Sequence, residues 1–170
     1  MKREHLYYSI IGVGLMVIVG IIIWSVLPEP TEPLATPEVL TQQLNSDAPT
    51  DQKVKAAQDF IRHGEAARTE VRAALVNHQS HEPEVVAPLV QATMKNRDHR
   101  SMPTLLDLLE HEDPQVRGRA GAAIQKILGA DFGYRANASE AERAKIIALI
   151  KQDYQNSTAR INEFYKDQRE

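Results

Sequence analysis

Hydrophobic and polar positions fall into three regimes along this chain. Ser9 to Leu27 carries no charge and is almost entirely Ile, Val, Leu, Met and Gly. At ~1.5 Å per helical residue, residues 9–27 reach roughly 28 Å, close to the ~30 Å hydrocarbon core of a bilayer. Residues 28–37 are then punctuated by Pro28, Pro30, Pro33 and Pro37. That composition favours extended polyproline geometry and a semi-rigid spacer. From Pro37 onward apolar residues return at helical spacing, with an internal period.

A shift of 31 residues aligns four apolar columns. They are Leu40, Val71 and Met102; Leu44, Leu75 and Leu106; Val54, Val85 and Val116; and Ile61, Ala92 and Ala123. Within a unit the first two columns lie four residues apart and the last two seven apart, so each pair shares one helix face. Between the faces lie Asn45 to Pro49, Gln79 to Pro83 and Glu110 to Pro114. Each supplies cap-capable side chains and a proline suited to a first helical turn. The pattern predicts three helix-turn-helix units. Pro88, inside the second helix of the middle unit, should remove one hydrogen bond and bend that helix.

The third unit also resembles a known family. Pro103-Thr104-Leu105-Leu106-Asp107-Leu108-Leu109, then Asp113-Pro114-Gln115-Val116-Arg117, with Ala120, Ala123-Ile124 and Leu128-Gly129, is similar to a HEAT repeat of the short bacterial type found in phycobilisome-lyase-like proteins. The resemblance implies that Asp113 and Arg117 are structural, bracing one repeat against its neighbour. The middle unit keeps Glu82-Pro83-Glu84-Val85 but has Val86 where the arginine belongs, and the first keeps Val54-Lys55 and Ile61 without the Asp-Pro pair. The implied fold is all-α: an N-terminal transmembrane helix, then a short right-handed HEAT-like α-solenoid of about three hairpins over residues 38–129.

Residues 130–170 depart from the repeat. Ala130-Asp131-Phe132-Gly133-Tyr134 is a glycine-punctuated aromatic loop, and Ser139-Glu140-Ala141-Glu142 has the form of a capping box. Ile146, Ile147, Ile150 and Tyr154 then predict an amphipathic helix covering the open apolar end of the stack. Asn156-Ser157-Thr158 offers a break before a tail that contains Ile161, Phe164 and Tyr165.

Charge orients the anchor. Lys2 and Arg3 precede the apolar segment, Glu29 and Glu32 follow it, and Tyr7, Tyr8 and Trp24 lie near its ends. The positive-inside rule places residues 1–8 in the cytoplasm and everything after Pro28 on the other side of the cell (inner) membrane. A cleaved signal peptide shares the basic start and apolar run. Cleavage wants small residues at alternate positions before the cut, and Ser25-Val26-Leu27 followed by Pro28 serves badly, which favours an uncleaved single-pass anchor. Of 23 acidic and 20 basic residues, removing Lys2, Arg3 and Glu4 leaves 22 and 18, a net of about −4. An acidic domain has no general attraction for nucleic acid. With no cysteine, thiolate catalysis and thiolate metal sites are excluded.

Chemistry narrows to the turns. His78, His81 and His111, with Glu82, Glu112 and Asp113, fall between first and second helices, where stacked units could align them for a metal ion. Wet turns explain the same residues without a ligand, as does the preference of carboxylates for helix starts. HEAT-repeat di-iron hydroxylases carry His-Glu pairs inside their second helices, whereas His81-Glu82 and His111-Glu112 precede the proline, so that comparison fails. No Ser-His-Asp set or phosphate-binding glycine loop can be assembled. Arg97, His99 and Arg100, with Arg62, His63, Arg68 and Arg72, are expected to be solvated inter-unit turn residues; the alternative is a patch that meets acidic partners or lipid headgroups. The function implied is non-catalytic: a membrane-anchored protein–protein interaction module, a scaffold or accessory subunit of a membrane complex. It needs no cofactor and no small-molecule substrate, and its alternative is a metal sensor or enzyme built on the turn histidines. Arg119 and Lys126, on the strip of second-helix residues facing away from the apolar columns, and Phe164 and Tyr165, in the aromatic C-terminal tail, are the expected partner-binding residues.

Overall fold

A computed structural model describes the backbone of residues 33–167 and the side chains of residues 33–159. The expected anchor at residues 9–27 and residues 28–32 of the proline-rich spacer lie outside the described residues. Among the described residues there is no strand, and no helix is long and apolar enough to cross a membrane. Ala35–Glu170 forms one compact unit.

Seven α-helices build it: α1 (Pro37–Leu44), α2 (Thr50–His63), α3 (Arg68–Val76), α4 (Pro83–Lys95), α5 (Met102–Leu108), α6 (Pro114–Leu128) and α7 (Glu140–Asp167). Short 3-10 turns at Gly64–Ala67, His78–Ser80 and His99–Ser101 connect some of them. Proline occupies the first turn of α1, α4, α5 and α6, where its missing N–H costs nothing. Asp113 caps α6, its Oδ1 accepting from the Gln115 and Val116 N–H groups at 2.6 and 3.2 Å. The expected box starts α7: Ser139 Oγ donates to Glu142 Oε2 at 2.7 Å, and the Glu142 N–H donates back to Ser139 Oγ at 3.3 Å. The bonds to the carboxyl from Ser139 Oγ and from the Ser139 N–H, the latter at 3.0 Å, hold Glu142 below its ordinary range.

α1 packs on α2, α3 on α4 and α5 on α6, while α2, α4 and α6 lie side by side in that order. The centre of this row explains α4. Covered on both flanks and by α3, it buries Val85, Val86, Ala87, Leu89, Val90, Ala92 and Thr93. It also buries Pro88, and the helix runs on through that residue to Lys95 without interruption. Ten of the twelve column residues are buried; Val54 and Ile61, both in α2, are only partly so.

Arg117 bonds to the turn of its own unit and to the loop that follows that unit, not to a neighbouring repeat. Its Nη1 donates to the carbonyls of His111 and Glu112, both at 2.7 Å, fixing the turn before α6. Its Nε and Nη2 reach the Ala136 carbonyl at 3.0 and 2.8 Å, tying down the loop that leads to α7. That loop is pinned a second time. The Tyr134 hydroxyl donates to the Leu109 carbonyl at 2.5 Å, and its ring lies over Gly121, where an added Cβ would sit 2.7 Å from Tyr134 Cδ1. Ile147 and Ile150 join the common core, so α7 closes the end of the row. The expected break at Asn156-Ser157-Thr158 does not occur. The helix is continuous, and Thr158 Oγ1 donates to the Tyr154 carbonyl at 2.9 Å, a local bond compatible with helix.

Candidate functional site

The row of second helices leaves one polar strip. Gln52, Glu84, Gln91, Gln115, Arg119 and Lys126 are exposed along it. Arg119 Nη1 donates to Gln91 Oε1 at 3.4 Å, so α4 and α6 share a continuous surface there. Lys126, two turns along the same face, lines an open groove of about 810 Å³ with Met94, Arg97, Gln125 and Leu128. The structure thus brings two of the four expected partner-binding residues together. Phe164 and Tyr165 fall in the last turns of α7, and their side chains lie outside the described residues.

The turns between first and second helices also converge. His78, His81 and His111 line a cleft of about 410 Å³ with Asp107, Glu110 and Glu112. The His78 and His111 ring centroids are 6.4 Å apart. Each of those rings has a backbone partner: His78 Nδ1 is 3.1 Å from the Leu75 carbonyl, and His111 Nδ1 accepts from the Asp113 N–H at 3.0 Å. Among the described residues no three His, Asp or Glu side chains are placed to hold a metal ion.

His81 departs from the expectation of a wet turn. It is 8% exposed, and neither ring nitrogen has a hydrogen-bond partner. Burial is the main force pushing its pKa down; Lys53 and His78 add to it and Glu82 opposes. Burial thus favours the neutral ring in the folded chain. A depressed histidine pKa means that the unfolded chain binds more protons, so the contribution is constant above the unfolded value of ~6.5 and is lost as pH falls below it. His81→Leu removes both unpaired nitrogens and the titration. In residues 35–170 produced alone it is expected to raise unfolding free energy by about 1 kcal/mol at pH 7.5, with a wider gap at pH 5.5. Urea melts at the two pH values check this, and an equal or narrower gap at pH 5.5 counts against a dry, neutral His81.

Sequence reasoning missed a further feature, the pairing of Arg72 with Asp98. Arg72 Nε and Nη2 donate to the two carboxylate oxygens of Asp98, each at 2.9 Å, from α3 into the turn after α4. Asp98 is 5% exposed and also accepts from Ser101 Oγ at 2.8 Å. Burial alone would raise its pKa, yet the bonds from Arg72 and Ser101, the Arg72 charge and the Arg100 N–H outweigh it and hold the carboxyl below its usual range. The only sequence signal was an aspartate isolated within a run of cations.

No family model, no curated protein and no solved structure matches this chain.

Proposed function

We propose that this chain is a membrane-tethered docking module: an apolar N-terminal anchor carrying a short HEAT-type α-solenoid that holds a protein partner. The partner is a subunit of a membrane complex, for which the chain serves as scaffold or accessory subunit. The apolar run at 9–27 and its flanking charges support an inner-membrane anchor with the N-terminus cytoplasmic and the helical unit outside the cytoplasm.

The observation that carries this reading is the serial packing of α2, α4 and α6, in which α4 and α6 share an exposed polar surface at Gln91 and Arg119 beside the groove at Lys126. Stacked helical units bind in this way because each adds its second helix to a common face. Arginine is favoured at interface centres, and Arg119 stands midway along the α6 part of the strip. Co-purification after gentle detergent extraction tests the proposal. Arg119→Glu combined with Lys126→Glu is expected to cut recovery of the partner at least tenfold, because two charges of the docking face are inverted while the buried core is untouched. Undiminished recovery, with the variant melting like the parent, would move the docking face away from the strip.

A further inference from the structure

Helix polarity sorts the charges of the unit onto two opposite edges. The turns within units carry Asp47, Asp51, Glu82, Glu84, Asp107, Glu110, Glu112 and Asp113 against only Lys53 and Arg117. The turns between units form the other edge, joined by direct bonds. Lys95 Nζ donates to the Ile61 carbonyl at 3.1 Å, Asn96 Nδ2 to the Gly64 carbonyl at 2.9 Å, and Arg68 Nη2 to the Asn96 carbonyl at 3.3 Å. Seven cations stand there, Arg62, Arg68, Arg72, Lys95, Arg97, Arg100 and Lys126, against six anions, Glu38, Asp59, Glu65, Glu70, Asp98 and Asp131, of which Asp59 is paired with Arg62 at 3.2 Å.

The helix dipole accounts for part of this. Arg62, Lys95 and Lys126 sit at or near the C-terminal ends of α2, α4 and α6, where positive charge is favoured. It does not account for the rest. Arg68 and Arg72 lie in the first turns of α3, the positive end, where a cation is disfavoured. They line a cleft of about 400 Å³ with Arg97, His99 and Arg100. The carboxylate within it, Asp98, is already spent on Arg72 and Ser101, and Glu65 is bonded to Arg68 at 2.7 Å. Arg97 and Arg100 are exposed and have no side-chain partner among the described residues. Arg97 also holds φ at +45°, a left-handed conformation that costs a non-glycine residue and that Gly129 adopts at the end of α6. An arginine kept where glycine is easier is a strain that points to use of its side chain.

The path of the chain names the occupant. The unit begins at Ala35, and the Ala35 carbonyl is 2.7 Å from His63 Nε2 on this same basic edge. Leu27, the end of the apolar segment, lies eight residues upstream (35 − 27), a span of at most roughly 29 Å. We infer that the basic edge, centred on Arg97 and Arg100, docks on anionic phospholipid headgroups of the bilayer that holds the apolar segment. The inference rests on the anchor reading. The tether keeps the edge at high local concentration beside the surface, and attraction acts once it comes within a Debye length, ~10 Å. Guanidinium forks match phosphate oxygens two at a time.

The test uses the full chain in lipid nanodiscs, either neutral phosphatidylcholine or the same lipid with one third phosphatidylglycerol. Amide hydrogen exchange is followed at residues 62–72 and 95–101. Slower exchange in the anionic discs only, reversed by raised salt, is the expected result. Arg97→Gly and Arg100→Gln should each weaken that protection by roughly fivefold. Arg97→Gly also relieves the backbone strain, so its melting temperature should be at or above the parent's, which separates lost docking from lost folding. Equal exchange in neutral and anionic discs overturns the docking. A chain stripped from the discs by an alkaline carbonate wash overturns the anchor reading itself, and the inference with it. Protection restored in neutral discs by inorganic phosphate alone would assign the cleft to a free anion instead.

Discussion

Arg72→Ala is expected to lower the unfolding free energy of residues 35–170 by about 3 kcal/mol. The cost arises less from losing the pair than from what remains. Asp98 is 5% exposed, and without Arg72 its charge keeps only the Ser101 hydroxyl and the Arg100 N–H. The figure sits at the low end for a broken buried pair because the Arg72 side chain is 24% exposed and gains some hydration when free. The Asp98 carboxyl is held below its usual range, so its contribution is full above the unfolded value of ~3.9 and is lost as pH falls through the folded one. The difference between parent and Arg72→Ala should therefore shrink below about pH 4. Arg62→Ala is the internal control. The Arg62–Asp59 pair spans 3.2 Å with Arg62 57% exposed, and such pairs contribute only about 0.5 kcal/mol. Urea melts that gave both variants the same small cost would mean that Asp98 is solvated.

Arg72 also shows where sequence reading runs short. Its place among Arg62, His63 and Arg68 reads as a wet turn, and only the fold brings Asp98, 26 residues away, against it. Nothing in the local pattern distinguishes Arg72 from Arg62. His81 failed for a related reason: a turn is wet on average, but this ring tucks against the core. The polar strip, by contrast, was legible. Gln91, Arg119 and Lys126 follow directly from the apolar columns, because the exposed face of a helix is the complement of its buried one. The contacts of Arg117 were not legible, since its partner Ala136 lies in a loop with no periodicity. The periodicity itself held wherever units stack on both sides. It slipped at α2.

That slip sets up the second large effect, expected for Phe60→Ala. The 31-residue columns put Ile61 in the core and leave Phe60 out. In the structure Phe60 is fully buried beside Ala56 and Ala57, while Ile61 is only partly so. The connection into α4 is longer than that into α2 and contains the extra 3-10 turn His78–Ser80. Relative to α4, α2 is thereby displaced by one position. A shift of 32 (92 − 60) matches Ala57 with Leu89 and Phe60 with Ala92, all buried. A benzyl group thus stands where later units have methyl groups, filling the first pair of helices from within. Emptying it should cost about 3–5 kcal/mol, whereas Ile61→Ala, which gives up a side chain already partly in water, should cost about 1 kcal/mol. Total stabilities of small domains are about 5–15 kcal/mol, so Phe60→Ala stands at the margin of unfolding. Phe60→Leu, with an expected loss of about 1–1.5 kcal/mol, keeps the comparison measurable. Denaturant melts of residues 35–170 decide between the registers. A larger loss for Ile61→Ala than for Phe60→Leu would restore the uniform 31-residue spacing and move Phe60 to the surface.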